Sequence, residues 1–205
     1  MPIDWKKEIN PKHTAILCME MQRGVVTTQG NIYDLINAVT KSGIISNGQR
    51  LLSEARLRCV NVIQCTTAFR KDRRGTTARM PLLAVMLKNS EHMLEGTSAV
   101  EVIPEWSDGT DIECRRYHGV SPFSGTDLDT KLRSMNIKTV LITGVSLNLG
   151  VLSMCIEAAN LGYRVIVVSD AVTGFPEEYC KALMQNTISL VARSMRVDDI
   201  LAYWT

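Results

Sequence analysis

The chain has 205 residues, 45% of them apolar and 21% charged, with a formal net charge of +2. That length suits one compact α/β domain over residues 1–205 with a full core, and so small a charge gives no reason to invoke nucleic acid. No apolar run approaches a membrane span and the first residues do not read as a signal peptide, so a cytoplasmic protein is expected.

Thr14–Met19 is an apolar run suited to a buried strand, followed by a Gly- and Thr-rich loop over 23–32. A helix is predicted over about 43–58, where Ile44, Ile45, Leu51, Leu52 and Ala55 form the buried stripe. Residues 59–66 read as the second strand, and 67–109 as an irregular, charged stretch with a short helical candidate at 80–87. A strand over 111–117 follows, then a helix capped by Thr126 or Asp127 and running to about residue 135. The apolar strand at 140–143 ends at Gly144, and apolar residues then recur at helical spacing from Val151 to Leu161 until Gly162 stops the helix. Residues 164–169 form another strand, Pro176 and Glu177 open a helix to about 191, and 193–197 is the last strand. Strand and helix in alternation imply parallel pairing with right-handed crossovers. The fold expected is a three-layer α/β/α sandwich around a doubly wound, mainly parallel six-stranded sheet.

In such a sheet, ligands bind beyond the carboxyl ends of the strands. The strand at 140–143 runs through a tight turn into a helix, which aims free N–H groups and the positive dipole end at the crevice. An anion, an oxyanion or a carboxylate fits such a corner. Gly150 stands at the turn with no side chain; its N–H can donate to an anion, or the glycine simply admits a close neighbour. The cysteines are irregularly spaced, with Cys18, Cys59, Cys65, Cys114 and Cys155 inside apolar segments, as reduced core thiols would be. Cys155 is turned roughly 140° and about 7.5 Å along the helix from Gly150, so it faces away from the crevice. Without a C-x-x-C or a close Cys/His cluster, no metal is expected.

The segments AILCMEMQRGVV, SPFSGTDLDTKL and ITGVSLNLGV with EAANLGYRVIVVSDA together resemble the isochorismatase-like, or cysteine hydrolase, superfamily over nearly the whole chain. The family pattern has Asp-Met-Gln after the first strand, a Lys six residues before the Phe of Phe-x-Gly-Thr, and Gly-Val-x-x-x-x-Cys at the elbow. Carried across by position, the Asp falls on Glu20, the Lys on Tyr117 and the Cys on Gly150, so all three members of the triad are changed. Gln22, Ser121, Phe123, Ser146 and Asn148 fall in the pocket by their place in these motifs. The resemblance also implies a homo-oligomer, dimer or tetramer, and a Val145-Ser146 peptide of the kind that tends to be cis.

Gly150 cannot supply a thiolate, which excludes the covalent route at that position. Relatives that cleave vinyl ethers also have Gly at the elbow and need a well-placed acid instead of a nucleophile. Replacing Lys by a neutral phenol removes a cation from beside Glu20, and a partly buried Glu without one holds its proton to higher pH, as a general acid needs. The expectation is a cofactor-independent hydrolase of a small carboxylated molecule, cleaving a vinyl-ether, ester or similar C–O bond. Glu20 would be the acid, or else a solvated or salt-bridged carboxylate at the strand end; Tyr117 would be a hydrogen-bond donor or an aromatic packed at the sheet edge, and the Gly150 N–H the anion anchor. His118 would assist proton transfer or merely be hydrogen-bonded, and Arg70 in the basic loop would grip a carboxylate or belong to a solvated loop. The competing class is an inactive family member that binds a small molecule or plays a structural part. The partners expected are a small-molecule substrate and further copies of the chain, with no nucleic acid and no membrane.

Overall fold

The computed structural model describes residues 3–204. Its sheet is built from Thr14–Met19 (β1), Asn61–Thr67 (β2), Ile112–Arg116 (β3), Thr139–Gly144 (β4), Arg164–Val172 (β5) and Arg193–Met195 (β6). The strands lie in the order β3-β2-β1-β4-β5-β6, and every neighbouring pair is parallel. The chain winds outward from β1 in one direction and restarts at β4 in the other. The crevice where direction reverses therefore opens between the ends of β1 and β4.

Around the sheet lie helices Trp5–Glu8 (α1), Arg23–Val26 (α2), Tyr33–Ser42 (α3), Ile44–Leu57 (α4), Pro81–Met86 (α5), Leu128–Ser134 (α6), Leu152–Asn160 (α7), Glu177–Leu183 (α8), Ser189–Val191 (α9) and Val197–Tyr203 (α10). β1 is buried at every position, the pattern of a strand covered on both faces. Its alternate residues go to opposite cores. Ile16 and Cys18 pack with Leu35, Leu51, Leu52 and Ile200 from α3, α4 and α10, while Ala15, Leu17 and Met19 pack with Leu132, Met154, Cys155 and Leu183 from α6, α7 and α8. This is the three-layer α/β/α arrangement, with helices on both faces. No helix among the described residues is long and apolar enough to cross a membrane.

Three local readings change. The helix over Tyr33–Ser42 was not expected, because its buried face is only Leu35 and Val39, too narrow to stand out as a stripe. The helix over Val197–Tyr203 was likewise unassigned. It is short, and its first turn is held by Asp199, whose carboxylate accepts from the Arg196 N–H at 3.0 Å. Cys59 is exposed, not part of the core. It sits at φ 56° in the turn after α4, and β2 begins only at Asn61. The remaining cysteines are buried and all six are free.

Candidate active site

β1 delivers Glu20 to the crevice, one residue past the strand end and at φ 48°, in the left-handed region that unbranched polar residues tolerate best. β4 ends beside it. At Gly144 (φ 98°) an added Cβ would collide with the Met19 backbone, so only glycine lets the two strand ends lie so close. A cavity of about 210 Å³ opens here. Glu20, Arg116, Ser146, Asn148 and Gly150 line its polar end, and Ile32, Leu35, Phe69, Leu83, Met86 and Phe175 contribute apolar wall.

Glu20 does not lack a cation. The Arg116 guanidinium, its side chain 4% exposed, forms an ion pair with the Glu20 carboxylate through Nη2. Arg116 Nε also donates to the Gly119 carbonyl at 3.2 Å and Nη1 to the Thr66 carbonyl at 3.5 Å, so the guanidinium is anchored to backbone on both sides. Residue 116, not 117, thus stands beside the carboxylate, and the expectation of an unpaired Glu20 fails. Six residues back from Phe123 lies Tyr117, one position past the residue that meets Glu20. Strand alternation carries the missed signal: with Cys114 buried, Arg116 must face the same way.

The elbow is wider than the tight turn expected. Ser146 is joined to Val145 by a cis peptide, and the chain then makes a wide π-type turn over Leu147–Val151 before α7. Within it the Leu147 N–H donates to Thr173 O at 2.8 Å, and those of Leu149 and Val151 to Ser146 O at 3.1 Å. The Ser146 hydroxyl donates to Asn148 Oδ1. A Cβ built on Gly150 would lie 2.5 Å from Met19 Cε and 3.3 Å from Met19 Cγ, so the methionine side chain fills the space beside the glycine.

The other expected residues stand elsewhere. Tyr117 points to the surface, where its hydroxyl donates to Glu95 at 2.6 Å; that bond, with burial behind it, holds the phenol above its ordinary range. His118 is exposed and its Nδ1 accepts from the Thr77 N–H at 3.4 Å. Arg70 makes a bidentate pair with Asp72 at 2.9 Å for each bond, in an exposed loop, and holds that carboxyl down to about 2. Gln22 is buried, but its amide is consumed by the Thr67 and Val100 carbonyls and the Thr67 N–H. Ser121 donates to Glu157, and Phe123 packs against Tyr163 at 6.3 Å between centroids. None of these six lines the cavity, which keeps Glu20, Ser146, Asn148 and Gly150 from the sequence-derived set.

Cys155 is buried behind the elbow and its thiol is pushed up to about 12 by desolvation, which suits packing and not nucleophilic attack. No cysteine lines the cavity, and no group of three or more His, Cys, Asp or Glu among the described residues is placed to hold a metal ion. Two of the polar lining residues had no role in the sequence reading. Asn31 and His92 stand on the irregular segments that carried no periodicity, yet their side chains meet at 3.0 Å in the cavity wall.

The Isochorismatase domain model matches residues 14–199. The isochorismatase family protein YwoC of Bacillus subtilis (strain 168) is 27% identical over 196 residues, covering 94% of this chain and 95% of its own. A cysteine hydrolase from Pseudomonas syringae pv. phaseolicola 1448A has a similar fold, with a TM-score of 0.84 at 21% identity over 96% of this chain and 94% of that one. An isochorismatase-like hydrolase from Alkaliphilus metalliredigens gives a TM-score of 0.74 at 25% identity, covering 94% of this chain and 99% of that one. With a family match across nearly all of the strands and helices described above, the chain belongs to the isochorismatase family of hydrolases.

Proposed function

We propose that this chain hydrolyses a C–O bond, preferably an ester, in a small molecule with an apolar body and one polar end, using water instead of a cysteine as the nucleophile. The observation that carries this is the Glu20–Arg116 ion pair at the polar end of an otherwise apolar cavity, beside the elbow turn. Glu20 is the sole carboxyl group lining that cavity among the described residues. An ion pair is a contact of a carboxylate, so the first proton transfer open to Glu20 is onto it and not from it.

The chemistry then runs in a definite order. A water between Glu20 and the substrate gives a proton to the carboxylate while its oxygen bonds to the acyl carbon. The former carbonyl oxygen takes the negative charge and is met by N–H groups at the elbow, the Gly150 amide among them. As the C–O bond to the alcohol breaks, the protonated Glu20 returns its proton to the departing oxygen. Arg116 keeps Glu20 in place between turnovers. Vinyl-ether cleavage, which must start from a protonated acid, fits this pairing less well. A carboxylate on the substrate would be accommodated at the Asn148 side-chain amide, because Arg70 is engaged by Asp72.

Turnover of a panel of small esters and vinyl ethers by the wild type and by Glu20→Gln tests the reading. Ester cleavage that is lost in the variant, with an unchanged fold, is the expected result; full activity in Glu20→Gln would end it. A noncatalytic binding protein is the second reading, and a specific observation favours it: Met19 Cε lies within 2.5 Å of a Cβ built at position 150, so the corner is filled. That reading expects ligands to raise the melting temperature without any of them being consumed.

A further inference from the structure

The wall of the cavity that carries Asn31 and His92 holds a second polar group that the mechanism does not use. His92 is 8% exposed, and its Nδ1 lies 3.0 Å from Asn31 Nδ2. The ring sits in an apolar frame, tilted against Phe69 with 6.3 Å between centroids, and the Arg73 guanidinium covers that phenylalanine at 5.6 Å from its ring centre. An amide NH₂ can only donate, so Nδ1 is the acceptor in this contact, and a neutral imidazole then carries its one hydrogen on Nε2. Burial and the positive charge of Arg73 both oppose a second proton. Among the described residues Nε2 has no protein partner, yet it is not sealed within protein, and His92 lines the cavity.

We propose that His92, fixed by Asn31, is the specificity-determining residue of this cavity: its neutral Nε2–H donates to a hydrogen-bond acceptor on the ligand's apolar body. The ligand class is then a compact ring or branched chain carrying an ether, carbonyl or ring-nitrogen acceptor besides the bond to be cleaved. Leu83, Met86 and Phe69 bury the rest of that body. An acceptor placed at Nε2 accepts a directed bond, and a ligand lacking it leaves a buried donor unpaired. The inference rests on the cavity being the ligand site, but not on turnover.

Two isosteric probes test it, cyclohexyl acetate and tetrahydropyran-4-yl acetate, which differ by a ring CH₂ replaced with an ether oxygen. Their dissociation constants are measured by NMR titration on wild type, His92→Phe, His92→Gln and Asn31→Leu, with Glu20→Gln as background to prevent cleavage. The expected result is that His92→Phe weakens the tetrahydropyranyl ester about tenfold relative to the cyclohexyl ester, with His92→Gln, which keeps a donor, recovering most of it. Asn31→Leu, which frees the ring, should act in the direction of His92→Phe. Equal effects of His92→Phe on both probes overturn the His92 assignment and leave the cavity as a ligand site, whereas failure of both probes to bind overturns both. Long-range ¹H–¹⁵N correlation of the imidazole gives an independent reading: a proton on Nδ1 near neutral pH also overturns it. Binding with the expected ratio but no ester cleavage leaves this inference standing and removes the proposed catalysis.

Discussion

Met19 Cε occupies the position that a side chain at residue 150 would claim, 2.5 Å from a Cβ built on Gly150. The end of β1 and the elbow are thus one packing unit, and the two residue types are matched to each other. Gly150→Cys alone should cost about 1–3 kcal/mol through overpacking, because the methionine must swing out of a fully buried site. Adding Met19→Ala makes room for the thiol, so the double variant should be more stable than the sum of the single effects by about 1 kcal/mol or more. Urea denaturation of the four proteins checks this. Strict additivity would show that Met19 has another place to go.

Arg116 makes a different kind of prediction. Its side chain is 4% exposed and that of Glu20 17%, so removing the guanidinium strands a carboxylate in a mostly desolvated corner. Arg116→Met should destabilise the fold by about 3 kcal/mol. Glu20→Gln should cost less, about 1–2 kcal/mol, because the guanidinium keeps its bonds to the Gly119 and Thr66 carbonyls. The double variant Glu20→Gln with Arg116→Met should fall well short of the sum. Melting curves with linked denaturant titrations give the cycle.

Tyr117→Phe separates position from geometry. The hydroxyl bonds Glu95 at the surface and not Glu20, so ester turnover and ligand binding should be unchanged. What should change is the acid side of the stability profile. The Tyr117 hydroxyl is the first cause of the lowered Glu95 carboxyl, whose ordinary value is 4.5. A depressed carboxyl stabilises above its unfolded value and loses that stability as pH falls through its folded one. Unfolding midpoints across this acid window should flatten in the variant. A fall in turnover with Tyr117→Phe would bring the residue back into the site.

His92 gives a pH effect of the same sign from a base. Burial, then Arg73, holds its imidazole below the ordinary 6.5. Between the lowered and the ordinary value, the unfolded chain binds a proton that the folded one refuses, so stability falls as pH drops through that window. Comparing urea midpoints near pH 7.5 and near pH 5 (roughly the two sides of an ordinary imidazole titration) should show a loss in wild type that His92→Gln reduces. An unchanged slope would mean that the ring is free to take its proton.

The parts of this fold that were legible in the sequence are those where burial writes continuously. β1 and β4 are buried at every position, and their apolar runs marked both strand ends, beside which the resemblance to the family placed Glu20, Ser146, Asn148 and Gly150. Spacing from a motif served less well: counting back from Phe123 reached Tyr117, one position beyond Arg116. Strand alternation, a physical rule, would have chosen correctly where the motif did not. Asn31, His92 and Met19 were beyond reach for separate reasons. The first two come from segments without regular period, 61 positions apart. Met19 reads as one more core residue in the sequence, and only the fold sets it against Gly150.

Glu20 holds its backbone at φ 48°, and this makes the position selective about its own replacements. Branching at Cβ is hardest to fit in that conformation, whereas Asn and Asp enter it readily. Valine or isoleucine there would unbend the chain where β1 leaves the sheet, and the loss would look like misfolding although no contact with substrate had been touched. Aspartate would keep the bend with a shorter reach, so whatever activity it retains measures how far the carboxylate must stretch to meet Arg116. The handedness of one residue thereby decides which amino acids evolution or an engineer can try at this corner.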